Sequence, residues 1–396
     1  MIQSVGAAWL MTDLTTSHQL VALVQASTTT PIMLLGVFAG AVADNYDRRR
    51  VMLVAQCGML AASALLAVLA WSGQLGPWAL IGFTLAVGCG TALNGPAWQA
   101  SVRQQVGPGD LPHAISLNTI AFNLARSVGP ALGGLLIAAT SPAAAFGLNA
   151  LSYVALIAVL LRWRPAHPAQ PAHPAQAARI RQPMLVSIAT GLKFCTASRP
   201  VRRVLMRGFV FGFGAAGYSA LLPLVVRGRL HGTELDYGLI LGAFGLGSIL
   251  VALRVAPARR RFGSEAVVGA ATLVFAGAMF AAASAAHLAA ALAAALVAGG
   301  GWVAVLTSLN VAMQLRSPDA ILGRCLAIYQ SVTFGGMALG AYALGVLADA
   351  VGVSSAIRAS ALLLLISAPL LRWLAPMPAP GEGRIAADPG DNGAAT

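Results

Sequence analysis

Arg126 stands alone in a long apolar run, about thirteen residues from the start of the run and so near a bilayer midplane at roughly 1.5 Å of rise per residue. A guanidinium there costs about 2.5–3.5 kcal/mol or more unless it faces a wet cavity or a partner. Its chemistry is that of a fixed cation with a planar fork of donors, suited to an anionic solute or to a cluster of carbonyl oxygens. Asn94, Asn118, Asn123, Tyr329 and Gln330 are the neutral polar residues expected around the same cavity. Each serves as readily to bridge two helices by a hydrogen bond as to touch a solute.

Other chemistry is thin. None of the 12 Asp and Glu lies at the centre of an apolar run; Asp13, Asp236 and Asp349 fall near run ends. No proton-carrying acid is therefore legible within a span. The four cysteines (Cys57, Cys89, Cys195 and Cys325) show no CxxC or metal-ligand spacing, and no disulfide is implied. His167 and His173 sit in a Pro-Ala-His-Pro repeat, where solvated histidine is a simpler reading than metal binding. Gly212-Phe-Gly214-Ala-Ala-Gly217, with Asp236 beyond it, matches the dinucleotide pattern GxGxxG. That fingerprint needs a preceding strand and a βαβ unit, whereas these glycines lie inside an apolar run and read as helix packing. With no HExxH, GxSxG or Walker sequence, neither an enzyme nor ATP drive is supported, and no metal or cofactor is expected.

Two motifs concern movement rather than bond chemistry. Gly40-Ala-Val-Ala-Asp44-Asn-Tyr-Asp-Arg48-Arg49-Arg50 joins two apolar runs. A carboxylate at a helix end can accept from the amides that start a neighbouring helix, and the arginines can pair with it or with lipid phosphate. Gly40, Asp44, Arg48 and Arg49 are thus candidates for a latch that holds one conformation, against the plainer reading of a charged topology anchor. In Ala125-Arg126-Ser-Val-Gly129-Pro130-Ala-Leu-Gly133-Gly134, small residues permit close helix approach and proline bends the chain. Gly129, Pro130, Gly133 and Gly134 are candidates for a tight helix-packing seal.

The elements that position these residues are membrane spans. The chain is 58% hydrophobic and 9% charged over 396 residues, against about 45–50% and about 25% for soluble domains. Apolar runs fall at 19–43, 51–71, 77–98, 114–139, 143–161, 204–226, 237–256, 265–286, 288–311, 325–348 and 354–374. A shorter apolar piece precedes them at 1–11, covering roughly half a bilayer. Shifting the first half by 211 residues places Gly36 on Gly247, Gly58 on Gly269, Gly88 and Gly90 on Gly299 and Gly301, and Gly129 and Gly134 on Gly340 and Gly345. The same shift lays Arg48, Arg49 and Arg50 on Arg259, Arg260 and Arg261. A parallel duplication of six-helix bundles, with a site between them, is a transporter architecture. The repeat places the start of the seventh span about ten positions before Met1, so a first helix truncated at its start is expected. Four bodies follow: a bundle over 1–162, a Pro-rich linker with an interfacial helix over 163–200, a second bundle over 201–375, and a disordered tail over 376–396.

The net charge of +13 raises nucleic acid as a partner, but the cations sit between the runs in alternate gaps, which is a topology signal. The exceptions are Arg126 inside a span and Arg227, Arg229 and Arg358 in the opposite gaps. The positive-inside rule places both termini, the linker and the Arg triplets in the cytoplasm.

The segment from Gly40 resembles the loop motif Gly-x-Leu-Ala-Asp-Arg-x-Gly-Arg-Arg of the major facilitator superfamily, keeping Gly40, Asp44, Arg48 and Arg49 and replacing the first basic residue with Asn45. The segment from Ala125 resembles that superfamily's exporter-associated glycine–proline motif, with Ala125 for its first glycine. Gln3-Ser-Val-Gly-Ala-Ala-Trp-Leu-Met-Thr12, Asn94-Gly-Pro-Ala-Trp-Gln99 and Asn123-Leu-Ala-Arg126 are similar to the enterobactin-exporter-like branch, also described as transmembrane secretion effectors. The resemblance covers about residues 1–375. It implies an all-α membrane protein of two related bundles, working as a monomeric secondary exporter in a bacterial inner membrane. The expected cargo is a siderophore-like or drug-like amphipathic molecule, with protons as the family's usual coupling ion. A cation/proton multidrug antiporter and a transport-inactive receptor or scaffold are the competing expectations.

Overall fold

The computed structural model describes residues 2–106, 110–163, 184–318 and 321–377, so the Pro-rich repeat and the C-terminal tail lie outside the described residues. Every regular element among them is helical. In chain order they are α1 (Ile2–Leu14), α2 (His18–Asn45), α3 (Arg48–Trp71), α4 (Pro77–Gln105), α5 (Leu111–Ala139), α6 (Pro142–Arg162), α7 (Met184–Ala197), α8 (Arg199–Gly228), α9 (Glu234–Ser284), α10 (Leu288–Gln314), α11 (Leu322–Val351) and α12 (Val353–Leu374). Nine of them are long and apolar enough to cross a bilayer.

The helices outrun the apolar runs because their ends are polar and capped. Ser17 Oγ accepts from Leu20 N, Asp47 Oδ1 from Arg50 N at 3.0 Å, and Ser141 Oγ from Ala144 N at 3.3 Å. Thr233 and Asp236 form a reciprocal capping box at the start of α9. Proline opens α4, α5, α6 and α8, where its missing N–H has no cost. The runs at 237–256 and 265–286 are two helical arms, numbered together as α9, that meet without a loop at Gly263, whose dihedrals (φ 81°, ψ 157°) are not helical. That backbone conformation is open to glycine and strained for any other residue.

Matched glycines do matched work in the two halves. A β-carbon at Gly88 would lie 2.9 Å from Pro31 Cγ and 3.1 Å from Ser27 O of α2, and one at Gly90 would lie 3.2 Å from Ala55 O of α3. Helix α4 is therefore wedged between α2 and α3. Gly299 meets Phe244 O in the first arm of α9, and a β-carbon at Gly301 would lie 2.9 Å from Ala271 O in the second. Helix α10 is wedged between the two arms of α9 in the same way. Around it, Phe211, Tyr218, Phe244, Phe275 and Trp302 pack with ring centroids 5.3–6.2 Å apart.

The segment expected as a surface helix is α7, docked on α11 and α8. A β-carbon at Gly191 would sit 3.1 Å from Arg324 Cβ and 3.3 Å from Ile328 Cδ1. One turn on, Cys195 is buried beside Cys325. The hydrogen bond to Cys325 and then burial push the Cys195 thiol up. Val186 and Leu192 point outward from the same helix.

Candidate functional site

Helices α1, α2 and α5 meet α8, α9 and α11, and the contacts have a direction. The hairpin turns divide the molecule into a linker end, carrying residues 46–47, 163 and 263, and an opposite end. Among the described residues, every hydrogen bond between the first six helices and the last five lies at the opposite end, apart from Ser331 Oγ to Ile32 O at 3.5 Å.

Three groups close that end. Asp349, on the last turn of α11, accepts from His18 N at 2.8 Å, Gln19 N at 3.1 Å and Ser17 Oγ at 3.3 Å. These are the orphan amides that begin α2, so one half's carboxylate caps the other half's helix. His18 Nδ1 adds an approach of 3.1 Å to the same carboxylate. Trp9 Nε1 donates to Glu234 Oε1 at 2.9 Å, while its ring stacks on Tyr237 at 6.0 Å and lies under the Arg227 guanidinium at 6.0 Å. Arg227 in turn pairs with Asp13 and donates to Thr12 Oγ1.

Glycines let the backbones touch. A β-carbon at Gly134 would fall 2.6 Å from Glu234 O and 2.8 Å from Gly238 Cα; one at Gly238 would meet Pro130 O at 2.8 Å. Its partner under the 211-residue shift, Gly345, faces Ala22 Cβ at 2.7 Å and Gln19 Cα at 3.0 Å. The pair α5/α9 and the pair α11/α2 thus join the halves through matched positions. Gly133 faces α1 instead, with Ile2 Cα 3.2 Å from its would-be β-carbon, and Pro130 is buried while Gly129 is half-buried.

Helix α5 sorts its residues by face. Leu117, Leu124, Val128, Leu132 and Leu135 are exposed along one side. At 100° per residue, Pro130, Gly133, Gly134 and Ile137 share the other, toward α1 and α9. Positions 123 and 126 fall on that second stripe, closer to mid-helix; their side chains lie outside the described residues.

Three of the remaining candidates are engaged within their own half. Gln56 Nε2 donates to Asn94 Oδ1 at 3.1 Å, and Trp98 Nε1 donates to Asn118 Oδ1 at 3.1 Å. Tyr329 is buried in the second bundle with its hydroxyl 3.4 Å from Leu306 O. Gln330 is exposed. The first three therefore show the bridging role, and Gln330 alone shows no partner among the described contacts.

At the linker end, Arg49 Nε and Nη2 donate to Leu160 O at 2.7 Å and Leu161 O at 2.6 Å, capping the C-terminus of α6. In the second half Leu371 O, which the repeat matches to Leu160 O, accepts from Arg207 Nη2 at 2.9 Å. Arg207 is buried and also holds Glu265 at 2.7 Å and Ala375 O at 2.6 Å. Gly40 has open space beside it, and the Asp44 side chain lies outside the described residues.

Sequence reasoning missed a polar cluster across α1, α3 and α6. Ser63 Oγ donates to Gln3 Oε1 at 2.8 Å, and the Asn149 amide reaches Gln3, Ser63 Oγ at 3.3 Å and Tyr153 OH at 3.1 Å. Its signal was four polar residues scattered singly in apolar runs. It also missed Trp9, Glu234 and Asp349 as closing groups. No cluster of three or more His, Cys, Asp or Glu that would hold a metal occurs among the described residues.

Comparison with known proteins fits this geometry. Residues 1–387 match the family described as transmembrane secretion effector. The chain is 28% identical to the staphyloferrin A transporter of Staphylococcus aureus over 64% of its length, and that match spans 62% of the transporter, under two thirds. It is 27% identical to the multidrug efflux pump Tap of Mycolicibacterium fortuitum, covering 92% of this chain and 89% of the pump. It is also 27% identical to the enterobactin exporter EntS of Shigella boydii, covering 86% and 79%. Among solved structures, a bacterial homolog of the lysosomal transporter Spinster aligns with a TM-score of 0.74 at 13% identity, covering 94% and 92%. The human organic anion transporter MFSD10 aligns with a TM-score of 0.61 at 19% identity, covering 93% and 89%. With two helical bundles joined through matched helix pairs, and a family match running almost from end to end, the chain belongs to the transmembrane secretion effectors of the major facilitator superfamily and is a multi-pass membrane transporter.

Proposed function

We propose that the protein is a secondary exporter of a small amphipathic, anionic molecule, working by alternating access in a bacterial inner membrane with the linker end in the cytoplasm. The observation that carries this reading is the one-sided polar closure: apart from Ser331–Ile32, the hydrogen bonds and ion pairs described between the halves gather at one end, and positions 123 and 126 fall toward mid-helix on the face of α5 shared with Pro130 and Gly134. A rocking motion that undoes Asp349–His18, Trp9–Glu234 and Arg227–Asp13 opens the far end and exposes that level to the other side. Arg126 is the proposed anion contact, with Asn123 and Gln330 as its proposed neutral polar partners. Asn94, Asn118 and Tyr329 act in this scheme by fixing helices around the path. Gly40, Asp44, Arg48 and Arg49 form the proposed latch at the linker end, Arg49 by way of α6. Protons are the proposed coupling ion, and a monomer the working unit.

The full-length similarity to a multidrug pump favours one second reading, broad efflux of cationic compounds. Accumulation in efflux-deficient cells separates the two, with a panel of catecholate siderophores and cationic dyes. Lower accumulation of an anionic member supports the proposal. Expulsion of cations alone transfers support to the second reading. No change for any compound, with the protein in the membrane, overturns both and leaves a receptor or scaffold.

A further inference from the structure

The topology signal has three exceptions at the end away from the linker, Arg227, Arg229 and Arg358. Arg227 is explained by Asp13, Thr12 and the Trp9 face. The other two converge on the last turn of α9. Arg229 donates from Nε to Ala285 O at 3.0 Å and from Nη2 to Ser284 O at 3.1 Å. Arg358, in the second turn of α12, reaches Ser284 Oγ from Nη2 at 3.4 Å.

Two guanidinium groups thus share one serine, and neither has an ion pair among the described residues. The acids of this end are committed elsewhere: Asp13 to Arg227, Glu234 to Trp9, Asp236 to its capping box, and Asp349 to the start of α2. The carbonyls that end α9 satisfy two donors of Arg229 and leave the repulsion between the cations standing. The Nε of Arg358 is buried and has no hydrogen-bond partner.

What lies beside this pair is lipid-facing surface. The Arg358 guanidinium sits over the Phe280 ring at 5.7 Å, and Phe280 is itself 44% exposed. One and two turns along α12 on the same face come Leu362, 50% exposed, and Ile366, 63% exposed. A paired cation at the level of a helix end, above an open apolar strip running toward the bilayer centre, has the shape of a phospholipid: headgroup phosphate above, acyl chain below.

We propose that Arg229 and Arg358 bind the phosphate of a phospholipid in the leaflet at this end, with an acyl chain along Phe280, Leu362 and Ile366. The site is remote from the stripe on α5 and stands apart from the export reading. The test uses the purified full chain in detergent, with phosphatidylglycerol, diacylglycerol and inorganic phosphate as probes. Phosphatidylglycerol is expected to raise the thermal unfolding midpoint by a few degrees and to leave a one-to-one adduct in native mass spectrometry, whereas diacylglycerol does neither. Arg358→Gln is expected to remove at least half of that rise, and Arg229→Gln together with it all of it. An equal rise with diacylglycerol, a full rise with inorganic phosphate alone, or an unaltered rise in the double variant overturns the proposal. The wild-type comparison of the two lipids needs no variant to fold, and the absence of any difference between them also overturns it.

Discussion

Arg126 stands out in the sequence as a candidate because residue type and surroundings conflict: a permanent cation in the middle of a long apolar run needs a reason, and its side chain lies outside the described residues. Arg126→Ala is expected to abolish export at normal membrane abundance, read as cargo accumulation in cells; unchanged export removes Arg126 from the path. Asp349 was not legible, because an acid near a run end serves as well for capping its own helix, pairing with lysine or facing water. Only the packing of α11 on α2 brings it to the amides of His18 and Gln19. The same holds for Gln3, Ser63, Asn149 and Tyr153, whose meeting depends on how three helices are rotated. Removing a helix-capping carboxylate costs about 0.5–2 kcal/mol, up to roughly thirtyfold in a conformational equilibrium. In a background without native cysteines, Ala22→Cys is buried at the α2/α11 contact. Adding Asp349→Ala should speed its labelling by an impermeant maleimide several-fold, and an unchanged rate would show that the cap does not hold the end closed.

At the scale of elements, the helices could be read from the apolar runs to within a few residues, since lipid enforces both length and composition. The joining of two runs at Gly263 could not, because a polar stretch such as 257–264 reads equally as a loop or as continued helix. Of the residues proposed for a seal, Gly129, Pro130, Gly133 and Gly134, the last two pack on different helices, Gly133 on α1 and Gly134 on α9. Gly134→Leu drives a side chain into Gly238 and Glu234 O, an overpacking that costs about 1–3 kcal/mol. Gly345→Leu does the same against Ala22 and Gln19. Both are expected to lower the unfolding midpoint by similar amounts and to slow export; a large effect from only one would mean that the two helix pairs do not share the load. Cys195, shielded by the docking of α7 on α11, should resist thiol reagents until the protein is unfolded, and labelling of the native protein would show that α7 lifts away.

At the scale of the whole molecule, the 211-residue offset found in glycines and arginines falls on comparable contacts in the two halves. Gly88 and Gly299 each seat a wedged helix, and Gly134 and Gly345 each join the halves. The arginine triplets are less symmetrical in use. Arg49 caps α6, whereas the matching carbonyl at Leu371 is held by Arg207 from another helix. The arginine contacts at the linker end therefore differ between halves; under the proposed latch, Asp44→Asn is expected to slow turnover severalfold while leaving cargo affinity within about twofold, measured by transport kinetics beside equilibrium binding. Equal turnover would reduce that segment to an anchor.

The bend at Gly263 has a mechanical meaning. Helix α9 is a V-shaped strut whose two tips, Glu234 and Ser284, stand at the same end of the molecule and whose vertex is a single residue. One tip is gripped by Trp9 of the opposite half, and the other by two arginines of its own. With no slack loop at the vertex, the two arms can change their angle at the glycine but cannot slide apart. The V thus sets the lipid-facing rim of one half, at Ser284, and the closure between both halves, at Glu234, on two arms that share a single hinge.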